Sequence, residues 1–164
     1  MVTEFTWGTM VFKRSLAYIL KKFPQTQFFI VGKNPSDELK QYENKNITVT
    51  GYVDDIMPWI NKAQVFIVPL FSGGGIRIKI LEAMAMGKVI ISTSLGAEGL
   101  EVENEKHLVI ADDQEGFVRG IEELFVHQDI REKFSKNALE IMREKYSLKA
   151  AQELLDNTIM KVLK

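Results

Sequence analysis

The sequence predicts an α/β fold: a Rossmann-like, doubly wound, mainly parallel sheet with helices on both faces and further helices at the C-terminus. Three observations predict it. Short apolar runs alternate with helical patterns up to about residue 111, the order expected of parallel βαβ units. Runs such as Phe28-Phe29-Ile30-Val31 and Val65-Phe66-Ile67-Val68 are apolar at every position rather than at every second one, as burial on both faces of a sheet requires. Two of the runs are closed by glycines, Gly32 and Gly51, which suit tight strand-to-helix turns.

The elements follow in order along the chain. Val2–Thr6 reads as a short strand and Trp7-Gly8-Thr9 as a turn. Met10–Lys22 has apolar residues at helical spacing, ends on Lys21-Lys22 and meets Pro24 soon after, a helix with its stop signal. Gln27–Val31 is a strand closed by Gly32. Ser36 opens a short helix to about Tyr42, and Ile47–Thr50 is a strand closed by Gly51. Asp54-Asp55 supplies caps for a helix reaching Asn61. Val65–Val68 is a strand, followed by the loop Ser72-Gly73-Gly74-Gly75 and a helix that stops at Gly87. Val89–Ser92 is a strand, a loop holding Gly96 and Gly99 follows, and Leu108–Ile110 is a last short strand. Asp112-Asp113 caps a helix over about Glu115–Val126; two more cover Asp129–Lys145 and Ser147–Leu163, with Ser147 as N-cap.

The chain has 164 residues, 46% hydrophobic and 26% charged, with a formal net charge of −1. That size and balance suit one domain with its own core, spanning 1–164. The near-neutral charge gives no electrostatic reason to expect nucleic acid as a partner. There is no cysteine, which excludes disulfides and thiolate chemistry. The two histidines, His107 and His127, lie far apart in sequence, so no metal site is expected. No apolar run is long enough to span a bilayer as a helix, and the N-terminus lacks the form of a signal peptide; the expectation is a cytoplasmic domain.

The richest stretch runs from Ser72 to Gly87. A strand, three glycines and a helix form a geometry that cradles anions: glycines let backbone N–H groups approach, and the helix N-terminus adds partial positive charge. The helix after it is apolar nearly all round, and its only charges between Ile78 and Gly87 are Lys79 and Glu82. Three positions apart, they share one face. Lys79 suits phosphate oxygens; Glu82 suits the two hydroxyls of a vicinal diol such as a ribose. The plain alternative is an exposed ion pair. Arg77, in the first helical turn, is either a second phosphate ligand or a solvated charge. The segment matches neither the Walker pattern nor the dinucleotide fingerprint, because its glycines follow the fourth strand. Glu98 and His107 are further candidates for acid–base work, with His107 also readable as a packing residue.

From Phe28 onward the chain resembles the donor-binding half of retaining GT-B glycosyltransferases, family 4 or group 1. The resemblance rests on Phe29-Ile30-Val31-Gly32, Val49-Thr50-Gly51-Tyr52-Val53, Val68-Pro69-Leu70 and, above all, Gly73 through Lys88, with Lys145-Tyr146-Ser147 opening a closing helix. It implies a nucleoside diphosphate sugar as donor and no further cofactor. It places the ribose on Glu82, the sugar and diphosphate on Ser72, Gly73, Gly74 and Gly75, the leaving phosphate on Lys79 with Arg77 as helper, and the base near Gly51, Tyr52 and Val53. It further implies that this domain is the C-terminal half of a two-domain enzyme whose N-terminal acceptor domain is its partner. The chain departs from the usual pattern at Gly74, where the family carries a glutamate eight positions before the second one; a bacterial subgroup shares the triple glycine. Two other readings fit the architecture: a nucleotide-sugar epimerase, although Phe71 stands where an aspartate normally precedes the serine, and a non-catalytic nucleotide-binding module. A response-regulator-like module fits poorly, since only Asp54-Asp55 resembles its acidic cluster.

Overall fold

The computed structural model describes residues 9–73, 75 and 77–162. The strand expected at Val2–Thr6 and the turn that follows it lie outside the described residues, apart from Thr9. Helix α1 covers Thr9–Lys22, β1 Phe28–Val31, α2 Asp37–Lys40, β2 Ile47–Gly51, α3 Met57–Lys62 and β3 Val65–Val68. Then come α4 at Ile78–Ala85, β4 at Val89–Ser92, α5 at Ser94–Ala97, β5 at Val109–Ile110, α6 at Gln114–Val126, α7 at Gln128–Lys145 and α8 at Leu148–Val162.

All strand pairs are parallel. Phe28 of β1 lies beside Ile47 of β2, Val65 of β3 beside Val89 of β4, and Ile91 of β4 beside Val109 of β5. Among the described residues β1 and β2 form one pair and β3-β4-β5 a three-stranded sheet, with no ladder joining β1 to β3. Phe28 and Phe29 of β1 and Val65 and Ile67 of β3 nevertheless line one common cleft, so the two strands face each other. The strand order reverses between them.

Alternation along the strands divides the core in two. Phe28, Ile30, Val65, Ile67, Val89 and Ile91 point into one layer with Leu16 and Ile19 of α1 and Phe117, Ile121 and Leu124 of α6. Val31, Phe66, Val68 and Ile90 point into the other with Ile60 of α3 and Ile80, Ala83 and Met84 of α4. Helix α7 serves both layers, through Phe134 in the first and Ala138 and Ile141 in the second. This is the doubly wound arrangement, with β3 and β4 buried along their whole length. Each fully buried Ile, Leu or Phe contributes about 1.5–3 kcal/mol, which fixes the layers far more firmly than any single loop interaction does.

Local chemistry sets the element ends. The Ser36 hydroxyl caps α2 by accepting from Leu39 N–H at 3.3 Å, and Ser147 accepts from Ala150 N–H at 3.1 Å below α8. Of the acidic pair before α6, Asp113 caps that helix through Gly116 N–H at 2.7 Å, while Asp112 accepts from Ser94 N–H at 2.7 Å and so ties α5 to the end of β5. The expected capping of α3 by Asp54-Asp55 takes a different form. Ile56 is the N-cap, and Asp55 Oδ1 reaches over it to Met57 N–H at 2.8 Å, ahead of Pro58. The loop expected around Gly96 is instead helix α5, N-capped by Thr93, whose hydroxyl accepts from Gly96 N–H and donates to Leu70 O. Lys88, between α4 and β4, donates to Asn61 O and Ala63 O at the end of α3, at 3.1 and 3.3 Å; burial lowers its pKa.

His107 is a packing residue. It is 5% exposed, and its Nδ1 accepts from Glu103 N–H at 3.0 Å while its backbone N–H donates to Glu103 O at 3.1 Å. The acceptor role requires an unprotonated Nδ1. Burial, and next the Lys106 charge, lower its pKa from the ordinary 6.5, against the opposing pull of Glu103, Glu140 and Glu144.

Two outcomes follow from this packing. A Cβ at Gly96 would stand 2.3 Å from Ser92 Oγ and 3.2 Å from Thr93 Oγ1, whereas a Cβ at Gly32 meets nothing within 4 Å. Urea denaturation should therefore show Gly96→Ala destabilised by roughly 1–3 kcal/mol and Gly32→Ala close to wild type. For His107 the unfolded chain takes up the proton first, so its contribution is complete above pH 6.5 and is lost as pH falls from there through the lower folded-state value. Denaturation series on either side of pH 6.5 should show that slope in the wild-type protein and a flatter one in His107→Gln.

Candidate functional site

The point where strand order reverses is where open α/β sheets bind ligands, outside the carboxyl ends of the strands. A cleft of about 470 Å³ lies there. One wall is the β1–α2 loop, Gly32 to Ser36; the other is α4, which presents Lys79 and Glu82. The floor is apolar, made by Ile30 and Val31 of β1, Phe66 of β3 and Ile56 and Ile60 at α3. A larger cleft of about 610 Å³ opens at the amino ends of β1 and β3, between Phe23, Phe28, Val65 and Phe125. It is on the wrong side of the sheet for the topological rule and has no carboxylate in its lining.

Helix α4 positions its charges through its buried face. Ile80, Ala83 and Met84 are sealed in the core, so the positions between them turn outward. Lys79 is half-buried and Glu82 exposed. The expectation of a helix buried nearly all round is corrected here: Ile78 is 63% exposed and Ala85 is exposed too. The reason is that α4 lies on one face of the sheet and only its inner side is covered, by β4 and α7. Arg77 is also not in the first helical turn. It is the N-cap, with φ −87° and ψ 73°, and its carbonyl accepts from Ile80 N–H at 2.9 Å.

The glycine loop stands at the head of this helix. Gly73 and Gly75 have φ of +113° and +93°, backbone that side chains rarely tolerate, so both glycines are structurally required and not interchangeable with a generic turn residue. Arg77 folds back over the loop: a Cβ on Gly73 would lie 3.6 Å from its Nη2. Ser72, Gly73 and Gly75 are exposed, and Gly74 lies outside the described residues. The Arg77 side chain makes no capping hydrogen bond to α4, in contrast to the N-cap residues of α2, α5 and α6.

The third group of expected residues reaches the cleft indirectly. Gly51 O accepts from Gly32 N–H at 3.2 Å, which ties the loop after β2 to the one after β1. Tyr52 is 62% exposed, and Lys33 Nζ sits 4.9 Å from its ring centroid. Val53 packs on the α4-side core. Thus Lys79 and Glu82 share the cleft, Gly51 and Tyr52 touch its wall through Gly32 and Lys33 without lining it, and Ser72, Gly73 and Gly75 are not among its lining residues. Glu98 is exposed at the end of α5 and His107 lines a separate groove with Glu140 and Glu144; neither belongs to this site. Sequence reasoning chose no residue from the wall at Lys33, Asn34 and Ser36. The signal was present, a lysine directly after a strand-closing glycine at the carboxyl edge of the sheet. Among the described residues no group of His, Asp and Glu side chains has the form of a metal site, and no helix is long and apolar enough to cross a membrane.

Comparisons with known proteins agree with this geometry. Residues 2–127 match the family described as glycosyl transferases group 1. An uncharacterized 44.6 kDa protein in the cps region of Klebsiella pneumoniae is 30% identical over 140 residues, covering 80% of this chain and 36% of that protein. The phosphatidyl-myo-inositol mannosyltransferase of Mycolicibacterium smegmatis is 26% identical over 153 residues, covering 88% and 40%. The chain thus spans about two-fifths of the length of these relatives. Among solved structures, the C-terminal domain of the glycosyl transferase group 1 family protein LpcC from Francisella tularensis superposes with a TM-score of 0.75 at 22% identity, over 90% of this chain and 84% of that one. The Anabaena HepE protein in complex with UDP superposes with 0.78 at 16% identity, over 98% and 48%. With the family match covering most of its residues and the same fold in both structures, this chain belongs to the group 1 glycosyltransferases.

Proposed function

We propose that this chain is the nucleotide-sugar-binding domain of a retaining glycosyltransferase, the C-terminal half of a two-domain cytoplasmic enzyme whose N-terminal domain holds the acceptor. The observation that carries the reading is the pairing of Lys79 and Glu82 on one face of α4, inside a cleft at the carboxyl ends of β1 and β3. One helix then presents a cation and a carboxylate to a ligand that needs both. A nucleoside diphosphate is such a ligand. Glu82 accepts from the two ribose hydroxyls. Lys79, the backbone N–H groups of Gly73 and Gly75 and the start of α4 serve the diphosphate, with Arg77 close by. The base lies toward Gly51, Tyr52 and Val53.

In transfer, negative charge develops on the diphosphate as the bond from the sugar to it breaks. Donors already aimed at that charge lower the barrier without reorganising; Lys79 is the residue we assign to this work. The relatives and neighbours support the reading in their own terms: one is named a mannosyltransferase and one was solved with UDP. A nucleotide-sugar epimerase has no specific observation in its favour.

Calorimetry on the 164-residue chain with UDP and with inorganic pyrophosphate separates the two roles. Lys79→Ala should weaken both ligands, by roughly ten- to a hundredfold for a lost charge-assisted contact. Glu82→Ala should weaken UDP by a similar factor and leave pyrophosphate within twofold. Absence of UDP binding at millimolar concentration, with the circular dichroism spectrum of a folded domain, refutes the donor-site assignment.

A further inference from the structure

The wall of the cleft opposite α4 carries a cation of its own. Lys33 lines that wall, and its ammonium rests 4.9 Å from the ring centroid of Tyr52. We propose that Lys33 determines which nucleobase the cleft accepts: its ammonium donates to an exocyclic carbonyl oxygen of the base, so that uridine and guanosine diphosphates are held in preference to adenosine diphosphate. The proposal rests on the donor-site reading above.

Three features support it. The first is placement. Gly32 N–H bonds to Gly51 O at 3.2 Å, so Lys33 and Tyr52 stand where two loops are joined through their backbones. Lys79 and Glu82 are on the other side of the cleft. A ribose held by Glu82 leaves its base to lie along the apolar floor at Ile56 and Ile60, with an edge toward the β1–α2 loop. The second is anchoring. Asn34 holds a left-handed conformation, φ +49°, and Ser36 is fixed as the cap of α2, so the backbone on the far side of Lys33 is set by local structure. The third is chemistry. A lysine ammonium has three donors and no acceptor. Uracil and guanine offer exocyclic carbonyl oxygens to such a group, whereas adenine offers an amino group, itself a donor. The exposed ring of Tyr52 gives the ammonium a weak resting contact, strong enough to orient it and easily exchanged for an oxygen acceptor.

The test is calorimetry of the 164-residue chain against UDP, GDP, ADP and inorganic pyrophosphate, in wild type, Lys33→Met and Tyr52→Leu. Lys33 is exposed, so Lys33→Met should melt at the wild-type temperature. We expect it to weaken UDP and GDP about tenfold, the size of one charge-assisted hydrogen bond, while ADP and pyrophosphate stay within twofold. Tyr52→Leu should weaken UDP and GDP by a smaller factor in the same pattern. An equal loss for all four ligands would assign Lys33 to the phosphates and overturn the proposal, as would an unchanged preference among the three bases. Either result with wild-type UDP binding intact leaves the donor site standing. A wild-type chain that binds no nucleotide removes both.

Discussion

Burial of the parallel strands on both faces is the constraint from which the rest of this domain follows. Phe66, Ile90 and Ile91 are at most 1% exposed, and successive residues feed two separate cores. Along β3 and β4 every residue is sealed in the core, and of the two strands only β3 reaches the cleft, through Phe66. Function is confined to what projects past the strand ends, and there to the side where the helices begin. The cleft between the β1–α2 loop and α4 occupies that place, floored by apolar residues of β1, β3 and α3.

How much of this was legible in the residues depended on how local the determining physics was. The apolar runs announced the strands to within a residue or two, because burial on two faces leaves no room for polar positions. Caps such as Ser36, Asp113 and Ser147 announced helix starts. The pairing of Lys79 with Glu82 was legible from spacing alone. Tertiary effects were not. The winding of residues 94–97 into α5 depends on Thr93, whose hydroxyl bonds Gly96 N–H and also Leu70 O just after β3; the capping of α3 was local but fell to Asp55 reaching Met57 N–H past Ile56, one of two acidic positions open to it. The exposure of Ile78 was illegible for a similar reason. An apolar residue on a helix says that some face is covered, and only the assembled layers say which. Lys33 was missed because a lysine in a loop looks like any solvated charge until Tyr52 from the next loop is beside it.

The electrostatic layout of the site is simple. The described charges in the cleft are two lysines on opposite walls and one glutamate. Such an arrangement complements the proposed ligand, with negative charge at one end and polar neutral groups elsewhere, over an apolar floor. The glycines above α4 add backbone donors with little bulk.

Lys88 has a role that its distance from the cleft conceals. It follows α4 by three residues and grips the last carbonyls of α3, while the start of α3 supplies Ile56 and Ile60 to the cleft floor and α4 supplies one wall. The two helices are thus riveted at the back and open at the front, like the arms of a pair of calipers. The gap between wall and floor is gauged from behind, by one ammonium and two carbonyls, so its aperture is set by the fold itself.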